Sequence, residues 1–63
     1  MKRNKLIKYL LDNGCALKRE GGDHTLYINL ITGNRSAIPR HTEIGDVLCN
    51  EICKQLGIEK IKQ

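Results

Sequence analysis

The sequence predicts an α+β fold of order α-β-β-β-α, in which two helices pack on one face of a three-stranded antiparallel sheet. Three observations predict it. Apolar residues recur at three- and four-residue spacing near both ends of the chain, at Leu6, Ile7, Leu10 and Leu11 and again at Ile44, Val47, Leu48, Ile52 and Leu56, which is the period of a helix with one apolar face. Between them Leu26, Ile28 and Leu30 alternate with Thr25, Tyr27 and Asn29, the period of a strand with one buried face. Glycine-bearing turns, Gly21-Gly22-Asp23 and Thr32-Gly33-Asn34, interrupt the middle of the chain where hairpins need them.

The first helix is predicted over Asn4 to Asn13, and Gly14 ends it by supplying the left-handed conformation that other residues resist. Lys2, Arg3, Lys5 and Lys8 gather near its start, where the helix dipole disfavours cations. Helix stability does not explain them, which leaves a solvated role or one facing a polyanion. Cys15 to Glu20 reads as the first strand, His24 to Ile31 as the second and Arg35 to Pro39 as the third. Pro39 cannot donate to a ladder and so marks a strand end or an edge. The second helix is predicted to begin between Thr42 and Gly45, with Glu43 and Asp46 in its first turn, and to end near Gly57; Ile58 to Gln63 reads as a frayed tail.

A chain of 63 residues allows one domain, spanning 1–63, and a domain of that size buries only about 60% of the surface its unfolded chain exposes. Such domains often lean on disulfides, a metal or a partner. The three cysteines, Cys15, Cys49 and Cys53, cannot all pair within the chain. Met1 runs straight into Lys2, Arg3, Asn4 and Lys5 with no apolar segment that would serve as a secretory signal, so a reducing cytoplasm is the expected setting. No run approaches the roughly 20 apolar residues of a membrane span. Cys49 and Cys53 stand one helical turn apart and Cys15 stands alone, unlike the paired thiols of structural zinc sites; the expectation is small core residues, with no metal and no cofactor. No phosphate-cradling glycine loop, Ser-His-Asp set or catalytic carboxylate pair is present. The formal charge of +4 is large for so short a chain and suits a polyanionic partner, although mild basicity also serves solubility.

The segment Arg19-Glu20-Gly21-Gly22-Asp23-His24-Thr25-Leu26-Tyr27 resembles the strand-turn-strand segment of HicA toxins, in which a glycine, a variable small or polar residue, a histidine and then an aromatic three positions on recur. Asn13-Gly14, Ile38-Pro39-Arg40-His41 and Ile52-Cys53-Lys54-Gln55-Leu56-Gly57-Ile58 also fall where that family has similar residues, so the resemblance covers nearly the whole chain. It implies a fold similar to the double-stranded RNA-binding domain and endoribonuclease activity on messenger RNA without metal. It further implies a HicB-type antitoxin that covers the active face and carries the DNA contacts of the complex. The chain departs from the family pattern at Asp23, where serine is frequent, at Cys15-Ala16, where an aromatic often follows the glycine, and at Asn50-Glu51, which make the second helix less basic. A carboxylate at Asp23 can orient His24 and can also repel phosphate.

The resemblance makes His24 the candidate catalytic residue. Cleaving RNA requires the ribose 2′-hydroxyl to lose a proton and the leaving 5′-oxygen to gain one, and imidazole suits either step near neutral pH. By spacing alone Gly21-Gly22 is a tight turn and His24 an ordinary strand residue. Lys18, Arg19, Arg35 and Arg40 are the candidate phosphate contacts. Strand alternation turns Lys18 and Arg19 to opposite faces, so at most one belongs to the site, and Lys18 is preferred. Tyr27 either stacks a base or fills core volume, and His41 is a second proton carrier, a phosphate contact or a plain loop residue. Two further classes remain open: a non-catalytic RNA-binding module of the same fold, and a degenerate toxin that persists as a corepressor.

Overall fold

The computed structural model describes residues 1–61 and has the predicted element order: α1 (Arg3–Asp12), β1 (Cys15–Glu20), β2 (His24–Asn29), β3 (Arg35–Pro39) and α2 (Asp46–Leu56). The strands form one antiparallel sheet in the order β1-β2-β3. Both helices lie on one face of it, as an α+β sandwich of two layers requires.

The ends of the chain segments are tied by local chemistry. Gly14 has φ 82° and Gly57 φ 74°, the left-handed geometry expected of helix-ending glycines. At the end of α2 the N–H of Gly57 donates to the carbonyl of Lys54 and that of Ile58 to the carbonyl of Cys53, which satisfies carbonyls the helix leaves open. Glu43 is not in the first turn of α2, which begins at Asp46. It lies in a short bridge with Lys2, where its carboxylate meets the Lys2 ammonium at 2.9 Å and the N-terminal amine at 3.3 Å.

Three expectations about burial are corrected. In β2 the face that meets the helices is Thr25, Tyr27 and Asn29, whereas Leu26 and Ile28 are half-buried on the open face and Leu30 lies beyond the strand, exposed. Polar groups tolerate the interior here because each has a partner. Arg3 Nη2 donates to Thr25 Oγ1 at 3.1 Å, Asn29 Nδ2 donates to the Leu56 carbonyl at 2.8 Å, and Ser36 Oγ bonds Gln55 Oε1 at 2.6 Å. In α2, Val47 is 80% and Leu48 43% exposed, and the core stripe runs instead through Cys49, Ile52, Cys53 and Leu56. That set has the i, i+3, i+4, i+7 spacing of a single face, with two thiols serving as core residues. Finally, residues 58–61 do not fray: Ile61 is buried in the core, Ile58 packs against it, and Tyr9 Oη donates to the Glu59 carbonyl at 2.8 Å. Lys62 and Gln63 of the predicted tail lie outside the described residues.

β1 carries an irregularity. Leu17 pairs with Tyr27 and Arg19 with Leu26, so Lys18 is an extra residue in the ladder. A bulge of this kind shifts every later residue of the strand to the opposite face. Arg19 is thereby brought to the open face of the sheet, where plain alternation places Lys18.

Candidate active site

His24 opens β2 directly after the Gly21–Asp23 turn and is exposed at one end of the sheet. The turn is tight, since the N–H of Gly21 donates to the carbonyl of His24 at 2.9 Å. Across the sheet His24 pairs with Pro39, the last residue of β3. Both neighbours are held from behind by one side chain: Arg3 donates from Nε to the Pro39 carbonyl at 2.9 Å and from Nη2 to Thr25 Oγ1. Arg3 therefore reaches into the structure from the start of α1 and braces the strand ends that carry His24.

A hollow of about 470 Å³ opens at this end of the sheet, lined by Gly22, Asp23, His24, Pro39, Arg40 and His41. Two imidazoles, a guanidinium and a carboxylate thus face one concavity. Arg40 Nη2 pairs with the Glu20 carboxylate and donates to the Gly21 carbonyl at 2.7 Å, clamping the far side of the turn. A second hollow of about 270 Å³ lies on the other side of His24, lined by Arg19, Gly21, Gly22, Asp23, Leu26 and Ala37 as well. His24 is common to both linings.

Of the residues singled out in the sequence, the structure brings His24, Arg40 and His41 together. Arg19, placed by the bulge, lines the second hollow with His24 but not the one that holds Arg40 and His41, and Lys18 lines neither. Arg35 pairs with Ile28, four residues along the strands from the His24–Pro39 pair, which is about 13 Å at strand rise. Tyr27 is 7% exposed and fills core volume, on the face opposite His24. Arg19 is the charged lining residue that reading by alternation passes over, whereas Asp23 stands beside His24 in the sequence itself. Among the described residues, no group of three or more His, Cys, Asp and Glu side chains converges as a metal ion would require.

The fold is a small two-layer α+β domain with an exposed histidine at one end of its sheet. The family model of the HicA toxin of bacterial toxin-antitoxin matches residues 3–58, which takes in all five elements and every residue of the two hollows. The chain belongs to the HicA toxin family and is the toxin of a toxin–antitoxin pair, with an antitoxin as its partner. No curated protein and no solved structure gives a significant match to the sequence. No helix among the described residues is long and apolar enough to cross a membrane.

Proposed function

We propose that this toxin is an endoribonuclease that cuts messenger RNA, with His24 moving the proton that the reaction requires. The observation that carries the reading is the position of His24: exposed, on a braced hairpin, in a hollow it shares with His41 and Arg40. In the proposed reaction one imidazole takes the proton of the ribose 2′-hydroxyl as its oxygen attacks the adjacent phosphorus. The bond from phosphorus to the 5′-oxygen breaks, and that oxygen receives a proton from an acid on the opposite side. His41, facing the same hollow, supplies the second proton carrier. Arg40 and Arg19 offer guanidinium donors to the phosphate oxygens, which gain charge in the transition state. General acid or base help of this kind is worth roughly 10² to 10⁴ in rate, enough for a toxin that needs to damage only part of its substrate pool.

The antitoxin is proposed to be of HicB type and to act in the cytoplasm by covering this end of the sheet. Leu26 and Ile28 support that surface as the contact: they are half-buried on the open face, two and four residues along β2 from His24, where no described residue of this chain packs over them as a second layer. A covering partner would bury them and close the hollow together.

The test is incubation of the purified chain with single-stranded RNA and with DNA of the same sequence, beside a His24→Ala variant and with chelator present throughout. Cleavage of RNA alone, lost in the variant, is the expected result. Equal cleavage by both proteins would contradict the role of His24, and cleavage by neither would favour a module that binds RNA without cutting it.

A further inference from the structure

The cations at the start of α1 form a hollow of their own. Lys2, Arg3, Asn4, Arg40 and Thr42 line a concavity of about 240 Å³. Arg40 also lines the hollow of His24 and His41, so the two share one guanidinium as a common wall. Three cations around so small a space repel one another, and the dipole at the start of α1 adds to the cost. The acidic partners, Glu43 on Lys2 and Glu20 on Arg40, stand outside the lining. Arg3 is held by its bonds to Pro39 and Thr25, which fixes its guanidinium and leaves Nη1 unspent on them. A guanidinium fixed in this way is pre-organised for an anion, and the Asn4 amide and Thr42 hydroxyl add neutral donors of the kind phosphate oxygens accept.

We infer that this hollow is a subsite for a backbone phosphate next to the scissile one, so that a single RNA strand passes from His24 over Arg40 to Lys2 and Arg3. The inference rests on the proposed reading of the His24 site as an RNA site. Continuity across Arg40 favours a phosphodiester chain over a free anion, because a strand presents phosphates in sequence and the two hollows that adjoin at Arg40 can receive two of them.

The test measures binding, so that it does not depend on whether His24 cuts. The full chain is titrated against a labelled ten-nucleotide 2′-O-methyl strand, which lacks the attacking hydroxyl, over a series of salt concentrations. Lys2→Gln should weaken binding and make the slope of log affinity against log salt shallower by about 0.7, the contribution of one contact to a single strand. Asn4→Asp places a carboxylate in the hollow at the second residue of α1, a position where the helix dipole welcomes negative charge; it should keep or raise the thermal midpoint while weakening binding several-fold. Inorganic phosphate should compete with the strand in the unaltered chain. Wild-type affinity and salt slope in both variants would overturn the subsite, and displacement of phosphate without any effect on the strand would assign the hollow to a free anion instead. If neither protein cleaves RNA yet the variants bind less tightly, the subsite stands and the catalytic reading fails.

Discussion

Gly21 and His24 face each other across the hairpin so closely that a Cβ on Gly21 would stand 2.7 Å from the His24 carbonyl oxygen. Real Cβ atoms do not approach an oxygen to that distance; the oxygen is a backbone atom and the Cβ is fixed by its bond to Cα, so neither can swing aside. Gly21→Ala should therefore push the turn away from the start of β2 and displace His24 while leaving both helices folded. A misplacement of about 1 Å can cost on the order of 10² in rate. The expected outcome is a near-native circular dichroism spectrum with RNA cleavage reduced by that order. Gly22 meets no such obstacle, and Gly22→Ala should retain most activity.

His41 shares the His24 hollow without sharing its strand. If it is the second proton carrier, His41→Ala should lower cleavage by about 10² or more. Binding of an uncleavable strand should change far less. A variant that loses binding and rate in equal proportion would make His41 a phosphate contact instead.

Asn29, 3% exposed, joins three parts of the chain. Its amide donates to the Leu56 carbonyl near the end of α2, and its Oδ1 accepts from the Ile31 N–H at 2.9 Å in the turn before β3. Asn29→Ala leaves both groups unpaired indoors, which costs about 1–3 kcal/mol. In a domain of this size each kcal/mol lowers Tm by about 4–8 °C, and a thermal melt reads the loss directly.

The buried thiols set an alkaline limit. Burial pushes Cys15, Cys49 and Cys53 above the ordinary thiol value of 9.0. Above that pH the unfolded chain releases thiol protons that the folded chain keeps, so stability is full below it and falls as pH rises toward the folded values. The slope is at most about 1.4 kcal/mol per pH unit for each thiol concerned, the limit where the unfolded thiol is ionised and the folded one is not. Cys49→Ala should start from lower stability, through the small cavity it leaves, yet decline less steeply between pH 9 and 10. Urea denaturation of both proteins across that interval measures the difference.

The fold was legible in the sequence because its signals are local: the helical spacing of Leu6 and Leu10, the glycines at 14 and 57, and the turns around Gly22 and Gly33 each act within a few residues. Which face of β2 is buried was not local. Leu26 and Ile28 outrank Thr25 and Asn29 on any hydrophobic scale, and the reversal depends on partners distant in sequence, Arg3 for Thr25 and the Leu56 carbonyl for Asn29. The same holds for α2, where two cysteines displace Val47 and Leu48 from the core. At the site, His24, Arg40 and His41 stood in recognisable segments, whereas the choice between Lys18 and Arg19 turned on one extra residue in β1 that alternation does not reveal. Arg3 looked like a surface charge, and its inward bonds exist only once the end of β3 lies beside α1.

The central claim is that a histidine-held proton lets a ribose hydroxyl break its own phosphodiester, and the ends of the cut RNA test it most directly. Mass spectrometry of the fragments made from a defined RNA strand should find a 2′,3′-cyclic phosphate, or the monophosphate it hydrolyses to, on one side of the cut and a 5′-hydroxyl on the other. Fragments that carry a 5′-phosphate and a free 3′-hydroxyl would mean that water, not the 2′-hydroxyl, attacks phosphorus, and would contradict the account.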